Sequence, residues 1–297
     1  MSSECILSEP RLPPELEHRI FKIAALARAR CIPALMLVAK RVKAWLEPIL
    51  YRVVFLKDST LDYIDDLRDL GLPAFTPDAL EKRSQNFCSH VRHLFIDDAL
   101  VGETALESWL LACTGATNLY AWFDCNPEIL LSINSLTNVR YLTIHVRSLC
   151  GTTVPFPLFL TITHLELFDF TADESMDRIC RNIAFIPQLT HLSLNPPLDS
   201  RLSHAALCAN MHLQCIVFLS SGISLDGSPL IDDDRFVCID EVLPYELDWL
   251  HGALFGEDYW SVANAFLAAR RAGTIERSRY RISNGSDDEY IEVVESD

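Results

Sequence analysis

Apolar residues recur at helical spacing through the first fifty positions. Pro13 and Pro14 suit a first helical turn, where no backbone N–H is needed. After them Leu16, Ile20, Ile23 and Ala27 share one stripe, and Phe21 widens it. Pro33 can open a second helix, with Leu35, Val38, Val42 and Trp45 along one face. Glu47-Pro48 interrupts it, and Pro48 to Tyr51 can add a last short turn. The run "RVVFLK" from Arg52 is β-branched and aromatic, and reads as a strand. Ser59 can then cap a third amphipathic helix through Leu61, Ile64 and Leu67.

From about residue 90 the pattern becomes short strand-like runs: "VRHLFI", "ATNLYAW", "VRYLTIH", "ITHLELF", "LTHLSLN" and "LQCIVFL". Their anchors are Leu94, Leu119, Leu142, Leu165, Leu192 and Ile216, spaced by 25, 23, 23, 27 and 24 residues. "RFVCID" at 235–240 makes a degenerate seventh strand, and partly helical stretches begin at Thr104, Ser175 and Ser203. A period of this size with a Leu-x-Leu core is the sign of a leucine-rich-repeat solenoid. Each unit is strand, loop and helix, and none can bury its apolar edge without neighbours. A last helix, from about Glu257 to Ala272, places Trp260, Ala263, Phe266 and Leu267 on one face. Acids in its first turn and Arg270 and Arg271 in its last match the helix dipole, and Gly273 ends it. It is the expected cap of the array.

Charge changes this picture by dividing the chain. The net charge is −16, yet residues 1–57 hold ten Lys/Arg against five Asp/Glu, giving +5 and leaving −21 on the rest. So acidic a body argues against nucleic acid, which is gripped through Lys and Arg contacts to phosphate. "SNGSDDEYIEVVESD" from Ser283 carries six acids and no base, and reads as an acidic, flexible tail. "MSSECILSEP" lacks the features of a signal peptide, and the apolar run from Val154 is broken by Pro155 and Pro157. No membrane span is expected, and the ten cysteines are expected to stay reduced in an intracellular chain, cytoplasmic or nuclear.

Catalytic chemistry is hard to find. There is no phosphate-cradling loop, nucleophile elbow or zincin motif. "CSHVRH" is the nearest approach to a metal cluster, but on a strand His90 and His93 face opposite sides. No enzyme activity, metal or cofactor is expected. What stands out is a row of positions beside the anchors, expected to point out of a concave sheet. It comprises Tyr120, Trp122, Tyr141, His145, His164, Glu166, Phe168 and His191. This row is either a half-exposed stack or a surface that binds a protein substrate.

The opening helices carry more apolar surface than so short a segment can bury. By physics alone they either cap the repeats or present a docking face. "LPPELEHRIFKIAAL" followed by "PALMLVAKRVKAWLEPILYR" resembles the F-box over about residues 10–51. The matching features are Leu12, Pro13, Glu15 and Leu16; Ile20, Phe21 and Ile23; Leu35, Val38, Lys40 and Arg41; and Trp45. Glu17 stands where a second leucine is usual. With the repeats behind it, the chain looks like the fungal F-box-like proteins. That resemblance implies a substrate-recognition adaptor: the F-box docks on the Skp-type adaptor of a cullin ubiquitin ligase, and the repeats hold a protein substrate. Leu12, Pro13, Leu16, Ile20, Phe21 and Ile23 would be the docking contacts, while Leu35, Val38 and Trp45 fill the module's own core.

The expected fold is therefore α/β: an N-terminal three-helix F-box-like module (1–51), then an irregular leucine-rich-repeat solenoid with a C-terminal capping helix (52–275), then the tail (276–297). The alternative function is a repeat scaffold unconnected with ubiquitin, whose N-terminal helices only cap the solenoid.

Overall fold

The computed structural model describes residues 12–56, 74–76, 85–97, 104–122, 133–150, 157–168, 176–195, 198, 202–219, 225–240 and 244–283. The chain divides into two compact units, Met1–Leu119 and Tyr120–Asp297.

The first unit opens with α1 (Pro14–Ala27), a 3-10 turn, α2 (Ile32–Met36) and α3 (Lys40–Leu50). Ala25, Ile32, Val42 and Leu46 form a small core, with Phe21, Leu35 and Trp45 packed against it. The single helix expected beyond Pro33 is two helices, because Ala39 adopts extended backbone (φ −160°, ψ 155°) between them. That break removes Val38 from its periodic face and leaves it 64% exposed rather than in the core. Pro48 does not end α3; it lies in the last turn, where its missing N–H leaves the Ala44 carbonyl without the i→i−4 bond. The chain then enters β1 (Val53–Leu56), flanked in parallel by β2 (Ala74–Phe75) and β3 (His93–Asp97). A 3-10 turn, Gln85–His90, precedes β3 and packs on α4 (Thr104–Ala112). The Phe87 ring stacks on Tyr51 at 4.3 Å and meets the edge of Trp109 at 5.0 Å. The helix expected from Ser59 falls outside the described residues.

After β4 (Asn118–Trp122), the second unit runs β5 (Tyr141–His145), α5 (Val146–Cys150), β6 (His164–Phe168), α6 (Met176–Ala184), β7 (His191–Leu194), α7 (His204–Ala209), β8 (Cys215–Leu219) and β9 (Phe236–Ile239). It ends with α8 (Tyr245–Phe255), α9 (Tyr259–Arg271) and β10 (Arg281–Ile282). Parallel register sets Leu142, Leu165, Leu192, Ile216 and Phe236 side by side. Residues just ahead of each strand hold this register. Thr163 and His164 both donate their N–H to the Arg140 carbonyl at 2.9 Å, and Thr190 and His191 do the same to Thr163 at 3.0 Å.

Strand order is β10-β9-β8-β7-β6-β5-β4-β3-β1-β2, a ten-stranded sheet whose defined pairings are all parallel. The architecture is thus an α/β sheet with helices packed against it. It is not a three-helix F-box-like module followed by a leucine-rich-repeat solenoid with a terminal cap. The difference lies in what covers the strands. The solenoid reading leaves alternate strand positions on an open face, whereas β8 and β9 are buried at every position. Parallel strands covered on both sides read as unbroken apolar runs, and "CIVFL" and "FVCI" are such runs.

The last helix does not cap the end of an array. α9 lies against the sheet, packing Tyr259, Trp260, Ala263, Phe266 and Leu267 onto Cys215, Val217, Leu219, Val237 and Ile239. Each large side chain buried there contributes about 1.5–3 kcal/mol. Asp258 starts the helix through a capping box with Ser261, and Gly273, at φ +78°, ends it in a conformation only glycine adopts freely. The Arg270 guanidinium fastens its far end, donating to the carbonyls of Phe236 (3.0 Å), Asp233 (3.3 Å) and Arg279 (3.1 Å).

Candidate functional site

Two places concentrate the singled-out residues, one in each unit. The first is α1. Glu17, Phe21 and Ala25, four apart, form the stripe that faces α2 and α3, and only Ala25 is fully buried. The adjacent stripe faces outward: Leu12, Leu16, Ile20, Ile23 and Leu26 are 45% to 59% exposed. Pro13 is exposed beside them, and Phe21 is half-buried against the helices' own core. Leu26 belongs to this face although the sequence pattern did not single it out. Leu37, in the break after α2, is exposed as well.

A bidentate ion pair fixes how α1 sits. Arg41 on α3 donates through Nε and Nη2 to the two carboxylate oxygens of Glu17, at 2.9 and 2.8 Å. The guanidinium holds the Glu17 carboxyl below its usual range. His18 leans on Trp45 at 5.1 Å on the same side. Glu17 is thus a strap to α3.

The second place is the sheet face beneath α8 and α9. Tyr120, His145, Glu166 and Phe168, expected to point outward, are buried. Trp122 ends β4, and its side chain lies outside the described residues. Tyr141, His164 and His191 alone remain half-exposed among the described members of the row. Their rings stack in order, 4.1 Å from Tyr141 to His164 and 3.9 Å from His164 to His191. Trp260 of α9 stands edge-on to both imidazoles. Thr163 and Thr190 place hydroxyls 2.9 and 2.8 Å from the respective Nδ1 atoms, and Asn264 sits 3.2 Å from His191 Nε2. Burial pushes His164 down to about 3 and also lowers His191, so the stack is neutral near pH 7.

Inward of this ladder lies a buried polar cluster. Thr143 donates its hydroxyl to Glu166 at 2.8 Å, and Asp248 of α8 accepts the Tyr259 backbone N–H at 3.1 Å. The buried Tyr259 side chain lies close to Glu166 and to the fully buried Ser193. Burial is the first cause that raises Glu166 to about 8 and Asp248 to about 7, and it also raises Asp258; proximity of the three carboxylates adds to the first two shifts. Of these, Glu166 stays largely protonated at pH 7. Asp248 and Tyr259 follow from no motif; their partnership exists only because α8 and α9 fold back on the sheet.

Among the described residues of either place, no nucleophile is aligned with a base and an orienting group. Among the described residues, no group of three or more His, Cys, Asp or Glu could hold a metal ion, and no helix is long and apolar enough to cross a membrane. No protein-family model matches the chain, and no curated protein matches it.

Proposed function

We propose that the chain is a non-catalytic recognition adaptor that docks, through the outward face of α1, on the Skp-type adaptor of a cullin ubiquitin ligase. The observation that carries this reading is the Leu12–Leu16–Ile20–Ile23 stripe, exposed on a helix whose other side is strapped to its neighbours. Contiguous exposed apolar surface of this kind marks interaction sites. Burying four such side chains at roughly 1.5–3 kcal/mol each is enough to hold a partner. The resemblance of residues 10–51 to the F-box names that partner. In the second unit, the half-exposed Tyr141–His164–His191 stack is the part of the row within reach of a protein substrate. The reading places the chain inside the cell, in cytoplasm or nucleus.

Co-purification with a Skp-type adaptor tests this, comparing the intact chain with a Leu16→Asp/Ile20→Asp variant. Both residues are exposed, so the variant keeps its fold by circular dichroism. Capture of the intact chain and not of the variant supports docking through α1. Failure of the folded intact chain to bind ends the ubiquitin reading.

A further inference from the structure

Cys88 and Cys113 hold the same place relative to consecutive strands. Cys88 lies five residues before His93, the first residue of β3, and Cys113 five before Asn118, the first of β4. The two approaches to these strands are bound together along their length. Thr117 and Asn118 both donate their N–H to the Arg92 carbonyl, at 2.8 and 3.0 Å, and the Thr117 hydroxyl joins them at 3.2 Å. Arg92 reaches back with Nη1 to the carbonyls of Ser89 (3.0 Å) and Gly115 (3.2 Å), tying the residue after one cysteine to the residue two beyond the other. On the far side Phe87 meets Trp109 at 5.0 Å. Cys88 lies in the 3-10 turn before β3 and Cys113 directly follows α4, and a disulfide between them needs Cα atoms about 4.4–6.8 Å apart. Both thiols are buried, and they share a hydrogen bond with each other.

We propose that Cys88 and Cys113 form a redox site that closes to a disulfide when the chain meets a peroxide. The Cys88 thiolate attacks one peroxide oxygen, the O–O bond breaks, and hydroxide leaves to take up a proton as water. The resulting sulfenic acid is then attacked at sulfur by Cys113, which gives up its proton as the second water departs. Two thiols and one hydrogen peroxide become one disulfide and two waters. Cys88 is the attacking sulfur because the Cys113 S–H donates to it, which lowers its pKa and favours its thiolate, while Cys113 is held protonated. Burial of both thiols favours a small oxidant over a bulky disulfide such as oxidised glutathione. Cys31, Cys180, Cys208, Cys215 and Cys238 are the other described cysteines.

The test uses the full-length chain. It is treated with hydrogen peroxide or buffer, alkylated under denaturing conditions with iodoacetamide, and digested without reductant. The expected result is a peroxide-dependent peptide pair joined through Cys88 and Cys113, with loss of both alkylated forms and their return after dithiothreitol. A Cys113→Ser chain should instead trap dimedone at Cys88. Alkylated Cys88 and Cys113 persisting while Cys31 or Cys180 is oxidised would overturn the proposal, as would a disulfide joining Cys88 to any other cysteine. Adaptor docking through α1 does not enter either readout, so failure here leaves the proposed function standing.

Discussion

The α1 face and the sheet face under α9 begin alike, as apolar and aromatic rows at regular spacing, and end in opposite conditions. α1 keeps its leucines and isoleucines in solvent, whereas α9 and α8 cover Tyr120, Glu166, Phe168 and the apolar side of β8 and β9. The reason is the amount of chain available as cover. Among the described residues, α1 has short neighbours, α2 with 5 residues and α3 with 11, and their interior is filled by Ala25, Ile32, Val42 and Leu46. The sheet has two further helices after its ninth strand, and they fold back over it. An exposed stripe on a helix is therefore a better sign of a partner than a regular row on strands, which distant sequence can cover.

The largest expected effect separates the two faces by stability. Phe266→Ala removes a buried ring between α9 and the sheet and should cost about 3–5 kcal/mol in chemical denaturation. Ile20→Ala, on the outward stripe, should change the same measurement by roughly 0.5 kcal/mol or less while weakening adaptor capture. Equal losses at both sites would erase the contrast.

The next effect depends on pH. Glu166 and Asp248 hold their protons more tightly when folded than when unfolded, where carboxylates titrate near pH 4. Their contribution is complete below that value and is lost as pH rises through about 7 for Asp248 and about 8 for Glu166. Glu166→Gln keeps a hydrogen-bonding group and removes the ionisation. Its melting temperature should exceed the wild type's by roughly 5 °C at pH 8.5, with little difference at pH 5. A gain of the same size at both values would mean the carboxyl does not titrate under α9.

The His164–His191 stack has the opposite sign. Burial lowers its pKa, so the stability it brings is present above pH 6.5 and is lost as pH falls toward about 3. His191→Gln should flatten the decline between pH 6.5 and 4.5. An unchanged acid limb in differential scanning calorimetry would count against the neutral stack.

The smallest effect on folding belongs to the Glu17–Arg41 strap. Arg41→Ala should leave the unfolding midpoint unchanged, since exposed pairs add little, yet lower adaptor affinity by freeing α1. Affinity unchanged in Arg41→Ala would show that the orientation of α1 does not matter.

Much of the local structure is legible in residue spacing. Leu94, Leu119, Leu142, Leu165, Leu192 and Ile216 each sit in a strand and are buried, and Trp260, Ala263, Phe266 and Leu267 share the buried side of α9. Periodicity reports which residues share a face, and that is a local property. It does not report what lies opposite. Glu166 and Phe168 alternate along β6 as surface residues would, yet Glu166 is buried beside Asp248 and Tyr259, which come from α8 and α9 some eighty residues later. The break at Ala39 escaped for a related reason. Leu35, Val38, Val42 and Trp45 keep helical phase across it, so nothing in their spacing marks the interruption. The carboxylate cluster was invisible because Asp248 and Glu166 meet only through tertiary folding.

Chain order gives the cover of the sheet a further meaning. α9 comes after β8 and β9, so both strands leave the ribosome before their covering helix exists. During that interval Cys215, Val217, Leu219, Val237 and Ile239 form a sticky surface with nothing against it, the kind that recruits chaperones or drives misassembly. A nascent chain arrested before residue 259 should therefore bind chaperones strongly and resist release, and letting synthesis continue through α9 should discharge it.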